Sequence, residues 1–562
     1  MTKERHGVYN ILTHLESKTE EYANNIALGI KTHFGWKEFT YRGIGLMSRK
    51  IASYFIDDIQ LKKGERVAIL SESRPEYGAC MFATIMAGGI GVPLDVKLTK
   101  YELKSILSNC EPTVIMASQH YLDTAIELQK ELPSIKHVIF MEEPFHNLTL
   151  PSIYTLPNKF ENKWRHRSSR STALIIYTSG TTGAPKGVEI SYRNIMAQLN
   201  DMEPIYEYIF GGKKVNVLSI LPMNHLFELT VGFSVFLSWG LSVYYTQSLK
   251  PKDILSTMQE KKVNFMIVVP AFLKLLKAGV EQEIKQSSPF IQIMFKLMFF
   301  VAGLIPSYAI RKKIFGKIHQ KFGGNFYGCI SGGAALDPNV GKFFETIGIR
   351  VMQGYGLTEM SPVVSVNHDR RGLMNSIGRP LNSVQAKIDE ETGEILLSGP
   401  SLMKGYYKNP EMTAQVIDED GWYHTGDIGE IDKQGYLYIT GRIKNMIVLS
   451  GGKKVFPEEV ETVMETNDNF AEICVFGYSR TAGAKEGTED VAIIVVPKNS
   501  VVEKYGNDKA GLENFIKGEV KMLSSHLAPY KRPTYIFVTT NPLPKTTTMK
   551  VKRKEVKELV AV

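Results

Sequence analysis

The first half of the chain alternates short apolar runs with stretches that have a helical spacing of apolar residues. The apolar, β-branched runs predict strands at 66–70, 91–94, 113–117, 173–177, 215–221, 241–245 and 263–269. Residues 76–87 and 99–108 have the composition of helices. Apolar strands that alternate with helices favour parallel sheets covered by helices, so the pattern predicts an α/β fold.

After about Gly378 the pattern changes to closely spaced extended runs, with a hairpin-like turn at 391–394 and an aromatic strand at 435–439. A smaller α/β unit follows. Its predicted strands are 472–476, 491–496 and 535–538, and its predicted helices are 457–465 and 512–527. We therefore predict a large N-terminal domain of helix-covered sheets with a β-rich subdomain, residues 1–441, and a small α+β domain, residues 442–562.

The most apolar segment, residues 289–310, is long enough to be compared with a membrane-spanning helix. Gln292, Lys296 and Pro306 interrupt it, and three basic residues follow at 311–313. A buried or interfacial helix is therefore favoured over a span. A peripheral membrane contact through 289–313, on the inner face, is one alternative, and a plain core helix is the other.

Composition narrows the class of protein. A chain of 562 residues exceeds what one hydrophobic core usually supports, and its four cysteines lack the spacing of a zinc site or a disulfide framework. The polar, charged stretch 1–21 has no secretory signal pattern, so we expect a cytoplasmic protein. The net charge of +9 favours anionic partners such as nucleotides, coenzyme A or acidic lipid. Without an arginine-rich tract or finger spacing, nucleic acid is not an expected partner.

The most informative stretch is YTSGTTGAPKG at 177–187, which follows a predicted strand. Its glycines let the backbone turn sharply and direct several N–H groups into one concavity that suits phosphate oxygens. Hydroxyl donors and one mobile ammonium are added by Thr178, Ser179, Thr181, Thr182 and Lys186. The loop is not a Walker A loop, because its lysine lies between Pro185 and Gly187.

This loop resembles the phosphate loop of the adenylate-forming superfamily, which contains acyl-CoA synthetases, peptide-synthetase adenylation domains and firefly luciferase. Four further stretches occur in the family's order: QGYGLTE at 353–359, WYHTGD at 422–427, GRIK at 441–444 and PKTTTMK at 544–550. The resemblance covers nearly the whole chain. It implies an enzyme that joins a carboxylate to AMP, with ATP and Mg²⁺ as cofactors.

The resemblance also implies roles for individual residues. ATP phosphates would be held by Thr178, Ser179, Gly180, Thr181, Thr182, Gly183, Lys186 and Thr358. Glu359 would ligate Mg²⁺, which prefers oxygen ligands shared with substrate phosphates. Adenine would lie against Tyr355 and Gly356 and beneath Gly332, Gly333 and Ala334. Asp427, assisted by Arg442, would accept hydrogen bonds from the ribose hydroxyls.

Lys550 matches the family's catalytic lysine, carried on a C-terminal loop that moves in to bind the carboxylate and the α-phosphate oxygens. In isolation, the basic run 545–557 would be interpreted as a solvated face. Met549 occupies a position where the family commonly has glycine. If the loop needs positive φ there, methionine strains it. We interpret this as tolerated variation, with a slowed first half-reaction as the alternative.

Lys444 matches the hinge about which the family's small domain rotates between half-reactions, so the C-terminal domain is expected to be mobile. Gly451 and Gly452 would line the pantetheine channel in the following loop. Motion about a few linker residues lets one site run two reactions. Asn445 replaces the acidic residue often found beside this hinge.

The stretch LPMNHLFE at 221–228 resembles that of long-chain acyl-CoA synthetases more than that of acetate or aryl-acid enzymes. His225 would then lie near the carboxylate and the mouth of the acyl tunnel, and the alternative is a buried structural histidine. The apolar stretch 290–300 fits a wall shared by a fatty-acid tunnel and a membrane-contacting face.

The expected function is ATP-dependent activation of a long-chain fatty acid, followed by thioester formation with coenzyme A. Acyl carrier protein is the alternative acceptor, because it presents the same pantetheine thiol. An alternative of another class is an inactive nucleotide- or acyl-binding protein. Only two departures from the family pattern, Met549 and Asn445, support it.

Overall fold

The predicted alternation of strands and helices is present in the computed structural model of the chain. It describes residues 11–145, 148–161, 164–178, 186–246, 248–369, 373–449, 453–479, 489–545 and 551–560. The strands predicted at 66–70 and 535–538 have those bounds. The other predicted elements are present, with ends that differ by a few residues. The α/β fold class is confirmed.

The strands are β1 Ile26–Thr32, β2 Gly35–Thr40, β3 Arg66–Leu70, β4 Ile90–Pro93, β5 Val114–Ala117, β6 His137–Phe140, β7 Thr172–Thr178, β8 Lys186–Ser191, β9 Asn216–Ser219, β10 Ser242–Tyr245, β11 Phe265–Val268, β12 Gly328–Ser331, β13 Arg350–Gly356, β14 Val363–Val366, β15 Arg379–Pro380, β16 Gln385–Ile388, β17 Glu394–Ser398, β18 Gly405–Tyr406, β19 Tyr423–Ile431, β20 Leu437–Arg442, β21 Ile447–Val448, β22 Lys454–Val455, β23 Phe470–Ser479, β24 Glu489–Pro497 and β25 Tyr535–Val538.

The helices are α1 Ile11–Glu21, α2 Tyr41–Ser53, α3 Pro75–Met86, α4 Lys100–Cys110, α5 Leu122–Glu131, α6 Tyr192–Phe210, α7 Phe236–Ser238, α8 Pro251–Glu260, α9 Pro270–Gln286, α10 Pro289–Leu304, α11 Tyr308–Ile314, α12 Gly316–Lys321, α13 Pro338–Thr346, α14 Pro410–Ala414, α15 Pro457–Met464, α16 Asn499–Tyr505, α17 Lys509–Ser524 and α18 Arg553–Val560. Two segments are π-helical, Tyr54–Asp58 and Glu228–Val235, and short 3₁₀ turns include Thr358–Met360 and Ile443–Asn445.

Two large sheets form the N-terminal part. One has nine strands in the order β15-β14-β13-β12-β11-β9-β10-β1-β2, and the other has seven in the order β18-β8-β7-β4-β3-β5-β6. The inner strands pair in parallel, as the sequence predicts, and the outer pairs β1–β2, β7–β8, β8–β18, β13–β14 and β14–β15 are antiparallel. The carboxyl ends of β4 and β7, which are parallel neighbours, therefore lie at one edge of the seven-stranded sheet.

Helix α3 lies at the centre of this arrangement, and all of its residues are buried. It packs against the π-helical segment 228–235, where a Cβ on Gly78 would lie 2.3 Å from the ring of Phe233. The rings of Phe82 and Phe233 are 5.0 Å apart. Glycine at 78 allows this close approach, which joins the helix covering one sheet to a segment that follows β9.

A four-stranded antiparallel sheet, β16-β17-β19-β20, forms the predicted β-rich unit, with the turn at 391–394 joining β16 to β17. After β20 the chain forms the ribbon β21–β22 and the sheet β23-β24-β25. The hydrophobic clusters of this last part contain only residues from Ile447 onward. A separate core favours the predicted division at 441/442, which stays a prediction.

The apolar segment 289–310 forms helix α10, which has one face against the protein and one face toward solvent. Among the residues that the structure describes, no helix has the length and apolar character needed to cross a membrane.

Candidate active site

The phosphate-loop motif joins β7 to β8 at the carboxyl edge of the seven-stranded sheet. Thr178 ends β7 and pairs with Lys186, the first residue of β8. Ser179, Gly180, Thr181, Thr182 and Gly183 lie outside the described residues. The hairpin nevertheless places the two ends of the loop at the edge where parallel sheets bind ligands. The Thr178 hydroxyl lies at one end and the Lys186 ammonium at the other.

Lys186 is connected to the predicted Mg²⁺ ligand through a tyrosine that the motifs did not identify. Its Nζ lies 5.4 Å from the centre of the Tyr406 ring, within cation–π range. The Tyr406 hydroxyl donates to Oε1 of Glu359 at 2.9 Å. Burial and the negative charge of Glu359 raise the pKa of Tyr406, so the phenol stays a donor at neutral pH. Thr358 begins the 3₁₀ turn that carries Glu359 and is partly exposed beside it.

A second cluster surrounds Asp427, which is only 1% exposed. Its Oδ1 lies 2.6 Å from Nε of Arg442, and its Oδ2 accepts a hydrogen bond of 2.6 Å from the hydroxyl of Tyr355. Burial and the charge of Asp427 raise the pKa of Tyr355. Tyr355 and Arg442, from two separate motifs, therefore converge on the carboxylate of a third motif.

Local backbone geometry on β19 places Asp427. Gly426 has φ +71°, which favours glycine, and its N–H donates to Oε1 of Glu394 at 2.6 Å. The Asp427 N–H donates to the hydroxyl of Thr425 at 3.0 Å. The other Glu394 oxygen lies 3.0 Å from Nδ1 of His424. The middle of the motif therefore holds the strand, while Asp427 presents its carboxylate to Tyr355 and Arg442.

The small residues predicted to lie over adenine follow β12. The Gly332 N–H donates to the carbonyl of Val268 at 3.0 Å, and Gly333 has φ +82°. Gly333 and Ala334 are exposed. On the facing motif, a Cβ at Gly356 would lie 1.8 Å from the carbonyl oxygen of Pro362, so this position admits only glycine.

The segment that carries His225 reaches the same region. A Cβ on Gly332 would lie 3.0 Å from the ring of Phe227, so the two motifs are in contact. His225 itself is partly exposed. The next acid, Glu228, is fully buried, accepts a hydrogen bond of 2.6 Å from Ser219, and has its pKa raised to about 8 by burial.

The predicted hinge lies beside these charges. Lys444 is exposed as a whole residue, yet partial desolvation and the charges of Arg442, Lys186 and Arg553 lower the pKa of its ammonium. The amide of Asn445 donates to Oε1 of Glu458 at 2.6 Å, and Arg553 pairs with that same oxygen at 3.4 Å. Asn445 thus retains a polar contact between the hinge and α15.

The loop that is predicted to carry the catalytic lysine has described residues on both sides. Lys545 and Val551 form an antiparallel bridge, and Nζ of Lys545 lies 2.6 Å from Oε1 of Glu472. Hydrogen bonds from Thr99 and, more weakly, the charge of Lys552 lower the pKa of Glu102. Glu102 lies in the first turn of α4, the helix that follows β4, so Lys552 on the loop's flank is close enough to influence that turn. Met549 and Lys550, like Gly451 and Gly452, lie outside the described residues.

The residues present fit a Mg²⁺ ion that arrives with the nucleotide. In the described part of the chain no group of three or more His, Cys, Asp or Glu residues could hold a metal ion by itself. Glu359 supplies one partly buried carboxylate. Mg²⁺ is commonly held by one or two carboxylates together with substrate phosphates, which is what this donor set offers.

Comparison with known proteins places the chain in a family. The model of the family described as AMP-binding enzyme matches residues 15–407. A long-chain-fatty-acid–CoA ligase of Salmonella typhimurium is 27% identical over 92% of this chain and 90% of its own length. A long-chain-fatty-acid–[acyl-carrier-protein] ligase of Arabidopsis thaliana is 31% identical over 68% of this chain, which spans only 60% of that protein.

The fold is also found among solved structures. ATP-bound MatB from Rhodopseudomonas palustris superposes with a TM-score of 0.77, over 98% of this chain and 99% of that one, at 24% identity. Together with the sequence match, this identifies the chain as a member of the AMP-binding enzyme family, an AMP-forming acid–thiol ligase of the adenylate-forming superfamily.

Proposed function

We propose that this chain activates a long-chain fatty acid with ATP and Mg²⁺ and transfers the acyl group to coenzyme A. The observation that carries the proposal is the convergence of Tyr355 and Arg442 on the buried carboxylate of Asp427, close to the cations Lys186 and Lys444. A carboxylate acceptor next to several cations suits a ribose joined to phosphates.

In the first half-reaction a carboxylate oxygen forms a bond to the α-phosphorus, and the bond from phosphorus to the bridging oxygen breaks to release pyrophosphate. Two anions must approach each other in this step. We assign the neutralising charge to Lys186 and to Lys550, with Thr178 and Thr358 donating to phosphate oxygens. Mg²⁺ on Glu359 would supply further positive charge at the phosphates.

In the second half-reaction the thiol sulfur bonds to the acyl carbonyl carbon, the carbon–oxygen bond to AMP breaks, and the thiol proton is released. We propose that residues 442–562 rotate about Lys444 between the two steps and bring Gly451 and Gly452 to the pantetheine channel. A separate core in residues from 447 onward supports such rigid-body motion.

The names of the relatives support a long-chain acid, and the contact of Phe227 with Gly332 supports His225 near the reacting carboxylate. The test is pyrophosphate release with ATP, Mg²⁺ and a panel of acids. Palmitate should give a far larger kcat/KM than acetate or benzoate. Preference for acetate or benzoate would overturn the long-chain assignment.

Coenzyme A is the acceptor we propose, and the net charge of +9 suits its phosphates. The Arabidopsis relative is named for acyl carrier protein, which is the second candidate. Parallel assays with each thiol separate the two.

An inactive binding protein, the candidate of another class, would bind ATP yet release no pyrophosphate with any acid.

We also propose a cytoplasmic location. The four cysteines, Cys80, Cys110, Cys329 and Cys474, are buried free thiols, as suits a reducing compartment.

A further inference from the structure

Helix α10 is apolar on every side, with the sequence PFIQIMFKLMFFVAGL and a single charged residue, Lys296. One face packs into the protein. The rings of Phe295 and Phe315 are 5.6 Å apart, those of Phe299 and Phe343 are 5.7 Å apart, and Ala302 is fully buried. This face accounts for only part of the helix's apolar residues.

The opposite face has no protein cover among the described residues. We call it the apolar face, and it consists of Phe290 (72% exposed), Ile291 (50%), Ile293 (67%), Met294 (39%), Leu297 (57%), Phe300 (67%), Val301 (42%) and Leu304 (73%). Single exposed apolar residues are normal, but eight on one helix form a contiguous patch. Helices that are apolar all round are normally buried, so an uncovered one requires a partner.

The charges around the apolar face select the kind of partner. Between residues 284 and 336 the sequence contains no aspartate or glutamate and seven lysines and arginines. Lys285, Lys296, Lys313 and Lys317 are exposed. A second copy of the chain on this face would bring like charges together. On an anionic lipid surface, the apolar side chains would instead be buried at the boundary of the acyl chains, and the lysines would contact the headgroups.

We propose that α10 docks on the surface of an anionic bilayer and lies in the plane of the headgroup–acyl boundary. The helix does not span the bilayer, because its 16 residues extend only about 24 Å and its inner face stays in the protein core. The docking surface is independent of which acid or thiol the enzyme uses.

Vesicle co-sedimentation of the full chain tests the proposal. The wild-type protein should sediment with vesicles that contain phosphatidylglycerol in phosphatidylcholine, and less with phosphatidylcholine alone or at high salt. The triple variant Phe290→Ser, Leu297→Ser, Phe300→Ser should lose about tenfold or more of its vesicle partitioning. The matched control Phe34→Ser, which removes an aromatic ring that is 102% exposed elsewhere, should bind as the wild type does.

A second measurement does not depend on how well the triple variant folds. In Ile293→Trp the added indole should show a blue shift with anionic vesicles, and in Phe34→Trp it should not. Absence of wild-type binding, or equal binding by the triple variant, would overturn the proposal. So would a wild-type dimer that the triple variant abolishes while vesicles have no effect, since a second copy would then cover the apolar face.

Discussion

Among the residues of the candidate site, Asp427 is distinguished by its burial and by the contacts that both of its carboxylate oxygens make. It is buried, its Oδ2 accepts a hydrogen bond from Tyr355, and its Oδ1 forms an ion pair with Arg442. These donors fix the orientation of the carboxylate before any ligand arrives. In the ribose-binding role that we propose for Asp427, a pre-oriented acceptor would lose little conformational entropy on binding and would contribute both affinity and geometry.

Asp427→Asn should therefore weaken ATP binding. Charge-assisted hydrogen bonds contribute about 1.5–3 kcal/mol, which corresponds to a rise of roughly 10- to 150-fold in the Kd for ATP measured by calorimetry. Asp420→Asn, which changes an exposed aspartate seven positions earlier, should leave the Kd unchanged. An unaltered Kd in Asp427→Asn would remove this residue from the ribose site.

Lys550→Ala should suppress acyl-adenylate formation by orders of magnitude more than transfer of the acyl group from supplied acyl-adenylate to the thiol. The reason is that its ammonium is assigned only to the transition state at the α-phosphorus. Single-turnover assays of each half-reaction measure this. Lys554→Ala, in the same basic run, is the control and should leave both rates unchanged. Equal loss of both steps in Lys550→Ala contradicts the assignment.

At the scale of elements, the π-helical segment 228–235 begins with the fully buried Glu228. Its Oε1 accepts from Ser219, and a Cβ on Gly232 would lie 2.2 Å from that same oxygen. Burial raises the pKa of Glu228 to about 8. The folded protein thus holds a proton here that the unfolded chain releases above the ordinary glutamate pKa of 4.5.

Because the folded state binds the extra proton, this carboxyl makes the protein less stable as pH rises from about 4.5 to about 8. Glu228→Gln removes the titration, so its Tm relative to the wild type should rise between pH 5 and pH 8. Glu76→Gln is the control. Burial opposes ionisation of Glu76, but Arg74 and Tyr154 outweigh it and lower its pKa, so this variant's Tm difference should stay constant between pH 6 and pH 8. A pH-independent Tm difference in Glu228→Gln would contradict the shift.

The strands and helices were largely predictable from the sequence because each is specified locally. Arg66–Leu70 is an apolar run bounded by polar residues, and α4 begins with a capping box between Thr99 and Glu102. The antiparallel edges were not predictable. Strand β18, at 405–406, pairs with β8 from more than two hundred residues away, and nothing in its two residues specifies that partner.

The motifs correctly predicted which residues lie close together, but they did not predict all of the contacts that hold those residues in place. Tyr355, Asp427 and Arg442 belong to three of the quoted motifs, and the structure brings them together. The motifs did not identify Tyr406 or Glu394 as site residues, because each acts through a neighbour. Tyr406 donates a hydrogen bond to Glu359, and Glu394 accepts one from the backbone N–H of Gly426. The sequence signals were limited to the Gly-Tyr pair at 405–406 and the glutamate that ends the turn at 391–394.

At the scale of the whole molecule, the fold collects cations from distant parts of the chain around one region. Lys186 comes from the seven-stranded sheet, Arg442 and Lys444 from the end of the four-stranded sheet, and Arg553 from the last helix. A site assembled across the two proposed domains can change its charge when residues 442–562 rotate. This is the physical basis on which we propose that one site runs two reactions in turn.

Transfer of labelled oxygen tests whether the acyl group passes through an adenylate. The purified protein is incubated with ATP, Mg²⁺, coenzyme A and palmitate that carries ¹⁸O in both carboxylate oxygens, and the products are weighed by mass spectrometry. If the carboxylate attacks the α-phosphorus, palmitoyl-CoA retains one ¹⁸O and the AMP formed with it carries the other. Palmitoyl-CoA accompanied by unlabelled AMP, or no product with ATP bound, would contradict passage of the acyl group through an adenylate.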